Sequence, residues 1–221
     1  MKKILLVTAI LFLNQVLFSQ TELKATMGVN FISIPSATDY INQTYAPYDE
    51  PLNTFNTAVI FSGEVGYFIS PKFEMSIEIP YQIYSYNTTI DGVGQYNLDY
   101  NELLPSVMAY YVISGTGYNF KFGGGLGPRF VFVSEEKNWL GSESEYSSTG
   151  IGGLLRIEAN TSLAENVFAN IGADVRYDVN GEPKNDDGSP LYNIVENENV
   201  NFNSFSAGIK LGISYLIGGS N

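Results

Sequence analysis

The chain has 221 residues, 11 basic against 23 acidic side chains, a formal charge of −12, and neither cysteine nor histidine. That balance excludes nucleic-acid binding through general electrostatics. The missing cysteines exclude a disulfide framework, and the missing histidines remove the commonest general base and metal ligand.

Lys2 and Lys3 open the chain, followed by the apolar run from Ile4 to Leu13, then Val16 to Phe18 and the small residue Ser19 before Gln20. A cationic start, an apolar stretch and a small residue at its end predict a cleaved signal peptide over 1–20. Asn14 and Gln15 cut the run short of the ~20 apolar residues that a membrane span needs. With no cysteine near the cleavage site, a lipoprotein anchor is excluded. Residues 21–221 are left as one domain of sheet type.

From there apolar residues recur at every second position. The runs extend from Leu23 to Phe31, Val59 to Ile69, Phe73 to Ile83, Leu103 to Ile113, Tyr118 to Phe130, Ile151 to Ala159, Val167 to Val179 and Phe205 to Ile217. Period-2 alternation predicts strands, and segments of about ten residues cross a bilayer when tilted. No helical periodicity stands out between them. Tight links at Ser70-Pro71-Lys72, Ser114-Gly115-Thr116-Gly117 and Leu163-Ala164-Glu165-Asn166 alternate with long ones over 35–54, 87–101, 133–149 and 180–201. Short turns at one end and long loops at the other are the habit of membrane barrels. The expected fold is all-β: an eight-stranded antiparallel up-and-down transmembrane β-barrel, with both termini at the short-turn, periplasmic end.

The alternate rows decide which face meets lipid. They contain Gly28, Gly66, Gly123, Gly125, Gly127, Gly152, Gly172, Gly208 and Gly212, with Asn30, Ser62, Asn119, Asn170 and Ser206 between them. Glycine on a water-facing exterior weakens a strand for no return, whereas inside a narrow barrel it makes room for long side chains opposite. Those long side chains are Lys24, Lys121, Arg129, Arg156, Arg176 and Lys210 against an equal number of acids, Glu64, Glu74, Glu78, Glu158, Asp174 and Asp178. The apolar rows carry no charge, so they are expected to face lipid and the ions to pair inside. Two luminal clusters are expected, with Lys24, Glu64, Glu74, Glu78, Lys121, Arg156 and Glu158 toward the periplasm, Arg129, Asp174, Arg176 and Asp178 toward the loops, and Lys210 near the middle. The acidic surplus, Glu135 included, is assigned to the loops. A secreted lipocalin-like barrel would instead hide the apolar row and carry a charged outer row.

In the last strand, Lys210-Leu211-Gly212-Ile213-Ser214-Tyr215-Leu216-Ile217 resembles the polar-x-Gly-x-x-apolar-x-apolar signal read by the barrel-insertion machinery, with Lys210, Gly212, Tyr215 and Ile217 at the marked positions. Over essentially all of the mature chain the pattern resembles the porin-family outer-membrane β-barrel domain, in its small eight-stranded OmpA/OmpX-like form. The resemblance implies the outer membrane of a Gram-negative bacterium, contact with outer-membrane lipid, the insertion machinery as a partner during biogenesis, a monomer, and no cofactor. Enzymes of similar architecture, the lipid A deacylase, palmitoyltransferase and omptin protease families, rely on a histidine that this chain lacks. The expected role is therefore non-enzymatic, structural or surface-interacting, with long acidic extracellular loops, an unidentified extracellular ligand and an ion-paired, plugged lumen. A narrow pore for a small solute is the alternative, with the secreted binding barrel behind it.

Three further features have ordinary readings. Gly123-Gly124-Gly125-Leu126-Gly127 lies within a strand and lacks the lysine and helix of a phosphate loop. Asn185-Asp186-Asp187-Gly188 fails as a calcium loop, because Pro183 and Ile194 would occupy ligand positions; no metal site is assigned, and a looser divalent-ion site among loop carboxylates stays open. Tyr40, Tyr45, Tyr48, Tyr96, Tyr100, Tyr146 and Tyr192 in or beside the long loops suit an aromatic girdle and loop packing better than a recognition surface. Tyr67, Phe73, Tyr118 and Tyr215 are assigned to the periplasmic girdle.

Overall fold

A strand whose side chains alternate in polarity separates two media, and here the strands close on themselves so that one medium is enclosed. The computed structural model describes residues 20–46, 52, 56–90 and 92–218; residues 1–19 of the predicted signal peptide, Tyr48, Asp49, Glu50 and Asp91 lie outside them. The strands are β1 (Thr21–Ser33), β2 (Thr57–Ser70), β3 (Phe73–Ile90), β4 (Gly94–Leu103), β5 (Ser106–Gly115), β6 (Tyr118–Lys137), β7 (Ser142–Ala164), β8 (Val167–Val179), the two-residue β9 (Tyr192–Asn193) and β10 (Glu198–Asn199), and β11 (Ser204–Ile217). Each pairs antiparallel with its neighbour, and β1 pairs with both β2 and β11, so the sheet is closed.

β4 and β5 are one barrel strand interrupted at Leu104-Pro105. Both pair with β3 and with β6, and pairing resumes below the break in the register held above it, from Leu103↔Phe130 to Val107↔Leu126. Proline has no N–H to give the ladder. Arg129 stitches the gap, its Nη1 donating to the carbonyls of Gly127, Pro128 and Pro105 and to Ser106 Oγ at 3.0–3.3 Å. Counted this way the barrel has eight strands, and no described helix is long and apolar enough to cross a membrane.

The apolar rows face outward, opposite to a lipocalin-like arrangement. Ile77 is 58% exposed and Leu155 67%, while Glu78 is 1% exposed. Tyr67, Phe73, Tyr118 and Tyr215 project outward near the short-turn end.

The long links differ from the expected loops. Residues 87–101 and 133–149 are mostly strand, because β3, β4, β6 and β7 run on past the apolar belt as hairpins. Within these extensions the alternation changes phase. On β3 the outward row passes from Ile83 to Ser85, Asn87 and Thr89, while the inward row passes from Gln82 to Tyr84 and Tyr86. On β1 the step comes at Phe31-Ile32, and on β6 outward Phe130 and Phe132 alternate with buried Val131 and Val133. Lipid outside favours polar-in and apolar-out, water outside favours the reverse, and the strands switch where the medium changes.

The link after β1 contains a helix, α1 (Pro35–Tyr45), with proline in its first turn. Its apolar face is only Ala37, Tyr40 and Ile41, at i, i+3, i+4 spacing. So short a stripe left no helical period visible in the sequence.

Candidate functional site: a paired-ion lumen under an apolar cap

All twelve ionic residues assigned to the inward rows are buried in the barrel. Near the short-turn end Lys121 pairs with Glu22 and with Glu74, the latter at 2.6 Å. Above them Lys24 Nζ lies 3.4 Å from Glu64 and 2.9 Å from Glu158. Arg156 joins that layer to the next, reaching Glu64 at 3.5 Å and both Glu78 and Asp174 at 2.9 Å. Lys210 approaches the same two carboxylates at 3.1 and 3.3 Å, and Arg176 lies 3.8 Å from Asp174. Arg129 pairs with Asp178 at the upper end. The expected division into two clusters is corrected here: Arg156 and Lys210 bind Glu78 and Asp174 together, so the middle of the lumen is continuous. Asp174 belongs with this middle layer and not with Arg129.

Buried charges persist only when paired and hydrogen-bonded, and hydroxyl donors reach two of these carboxylates. Ser76 Oγ donates to Glu64 at 2.5 Å, Ser62 Oγ to Glu78 at 2.7 Å, and Asn30 Nδ2 to Gln82 at 2.7 Å. Glycines open the space: a Cβ at Gly66 would strike the Glu74 carboxylate, and one at Gly152 would strike Asp178 and Arg129. Met108, Tyr110, Val112 and Leu154 add a small apolar cluster, with Lys24 Nζ 5.5 Å from the Tyr110 ring.

Three buried acids went unassigned or misassigned in the sequence. Glu22, two residues before Lys24, shares its inward row. Glu102 is fully buried, accepting from Tyr100 Oη at 2.7 Å and Asn180 Nδ2 at 2.8 Å. Glu135, placed among loop acids, lies on the inward row of the β6 extension and accepts from Tyr40 at 2.6 Å, Tyr96 at 3.0 Å and Tyr45 at 3.3 Å, with Lys137 Nζ at 3.0 Å. The row parity carried the signal in each case; for Glu135 it was hidden by reading the segment as a loop.

Glu135 is the polar knot of an apolar cap. Ile34, Ala37, Tyr40 and Ile41 from the α1 segment, Leu191, Val200 and Phe202 from the link between β8 and β11, and Tyr84, Tyr96, Leu98, Tyr100, Val131 and Val133 from the hairpins form one buried cluster over the barrel mouth. Phe202 stacks on Tyr100 with centroids 5.4 Å apart, and the α1 start is tied to the β8–β11 link by Asn201 N donating to Ser36 Oγ at 3.1 Å. Tyr40, Tyr96 and Tyr100 are therefore core residues and no girdle; Tyr45 and Tyr146 pack partly buried against them, and Tyr192 stays exposed.

On β11, Lys210 and Gly212 point inward and Tyr215 and Ile217 outward, Lys210 being engaged with Glu78 and Asp174. Among the described residues no group of three or more acids is placed to hold a metal ion.

A closed barrel, charged inside and belted with uncharged apolar side chains outside, is an integral membrane protein of the outer-membrane β-barrel class. No family model and no curated protein matches the chain. Among solved structures it is similar to a major outer membrane protein of Thermus thermophilus, at 12% identity and TM-score 0.58, covering 90% of this chain and 99% of that one. It is also similar to Ail, the attachment invasion locus protein of Yersinia pestis, at 12% identity and TM-score 0.52 over the same shares, and to Ail in complex with the heparin analogue sucrose octasulfate, at 13% and 0.51. At these identities the likeness is one of fold.

Proposed function

We propose that this chain is a non-enzymatic outer-membrane barrel whose lumen is closed twice, by paired ions within the membrane and by the apolar cap above it, so that it anchors a rigid platform at the cell surface and conducts nothing. The observation that carries the reading is the cap. A pore has no use for α1 and the β8–β11 link packed into its mouth around Tyr96, Tyr100 and Phe202. The network from Lys24 through Arg156 to Lys210 and Asp174 supports it from below. Short turns face the periplasm and the hairpins and cap face outward, after the barrel habit. The barrel acts as a monomer, contacts lipid through its belt, and offers Lys210, Gly212, Tyr215 and Ile217 to the insertion machinery.

The Ail complex contains a sulfated sugar analogue. Here the outward ends of the hairpins carry Asp99, Glu136, Glu143 and Glu145, a surface that repels polyanions, so the partner we propose for the platform is neutral or cationic. Conductance of the purified protein in planar bilayers tests closure. No steady current is expected at moderate voltage, and a steady ohmic conductance overturns the closed barrel in favour of a narrow pore.

A further inference from the structure

Just above the apolar belt, on the outer wall at the long-loop end, three neighbouring segments bring unlike side chains into one row. Phe132 on β6 pairs with Ser147 on β7, and Ser147 pairs with Lys184 through two backbone hydrogen bonds of 2.9 Å. Residues opposite one another in antiparallel pairs share a face, so a phenyl ring, a hydroxyl and an ammonium stand side by side on the outside. One row nearer the belt are Phe130 and Thr149, and below them Ile151 and Val179 are exposed apolar residues of the belt itself. The rows border a depression of about 400 Å3, closed on its far side by Asn180, Gly181 and Glu182.

Lys184 is singular in its surroundings. Among the described residues every base has an ion-pair partner except Lys184 and Lys72, and Lys72 lies in the short β2–β3 turn at the opposite end. Its neighbour Glu182 accepts instead from Asn199 Nδ2 at 2.8 Å. Further from the membrane the wall turns acidic at Glu143 and Glu145. Among the described residues Lys184 is thus the one base at this end without an ion-pair partner.

We propose that the depression binds a lipid with an anionic, phosphate-bearing headgroup, drawn from the leaflet at the long-loop end, which the proposed orientation makes the outer one. The Lys184 ammonium and the Ser147 and Thr149 hydroxyls take the phosphate oxygens at headgroup depth, and an acyl chain lies along Phe130 and Phe132 where the belt begins. The occupant is a lipid because the depression is continuous with the lipid-facing surface. A second copy of this acidic chain would bring like charges together.

The test is native mass spectrometry of the full barrel released from micelles doped with dioleoyl phosphatidylglycerol or dioleoyl phosphatidylcholine. The wild type is expected to retain phosphatidylglycerol about five-fold over phosphatidylcholine, the effect of one lysine near a membrane surface. Lys184→Gln should abolish the preference and Lys184→Arg keep it, Phe132→Ser should lower retention of both lipids, and Lys72→Gln should change nothing. The site is overturned if Lys184→Gln keeps the preference, if Lys72→Gln removes it, or if inorganic phosphate is retained by the protein while neither lipid is, since a free anion would then be the ligand. None of these readouts depends on whether the lumen conducts.

Discussion

Arg156 on β7 reaches across the lumen to Glu78 on β3, a strand it does not adjoin, and donates from Nη2 to the Glu78 carboxylate at 2.9 Å. The same nitrogen lies 2.9 Å from Asp174, and Nη1 approaches Glu64. Removing one partner of a buried ion pair leaves the others uncompensated, at about 3–5 kcal/mol. Arg156→Ala should therefore destabilise the barrel by that scale, read as a lower urea midpoint in vesicles. Adding Glu78→Gln should recover part of the loss; a double variant no more stable than the single one would show that the two are not coupled.

Ile77 and Glu78 are adjacent and face opposite media. A spin label at 77 should be relaxed by a lipid-soluble quencher and one at 78 should not, with the reverse result ruling out this facing. Arginine in place of Ile77 or Ile209 should cost about 2–4 kcal/mol if the site is near the midplane, read as lost insertion into vesicles.

The cap and the barrel should respond separately to damage. Phe202→Ala removes a ring stacked on Tyr100 in the buried cap and should cost it about 3–5 kcal/mol. Trp139, the only tryptophan, packs against that cluster. Its emission should shift at lower urea in the variant while the far-ultraviolet sheet signal stays put. Coincident shifts would mean that cap and barrel unfold as one.

Alkaline pH should loosen the cap first. Burial, and then the Glu135 carboxylate, raise Tyr40 and Tyr45 above the ordinary tyrosine value of 10.0. On Lys137 burial pulls down, but Glu135 and Tyr45 together outweigh it and the ammonium ends above 10.5. These groups hold their protons more tightly folded than unfolded, so their contribution is complete below pH about 10 and lost as pH rises through the folded values. The Trp139 signal should change above pH about 10, and less so in Glu135→Gln. A flat signal up to the point of barrel unfolding would refute the linkage.

Proteolysis of intact cells reads the orientation. Much of the β8–β11 link is held by buried Leu191, Val200 and Phe202, so cleavage should concentrate at its exposed stretches around Asp186-Asp187-Gly188 and Ile194-Val195-Glu196. Cutting at Thr116-Gly117 in intact cells would invert the topology.

Alternation along each strand, with the sorting of short turns from long links and the confinement of charge to alternate rows, was enough to determine the barrel, its number of crossings and twelve of its inward ions from Lys24 to Lys210, because successive side chains of a strand must face opposite ways and charge is costly in lipid. The phase change at Phe31-Ile32 and Ile83-Tyr84 was present in the same letters, but it has meaning only once the strands are known to outlast the membrane. Tertiary structure alone decided which ion meets which. Arg156 finds Glu64, Glu78 and Asp174 through the stagger of four strands, and that stagger is a property of the closed barrel. It also decided that Ala37, Tyr40 and Ile41 form a helix face, since so short an apolar stripe is stabilised by the mouth it fills and hardly by its own periodicity.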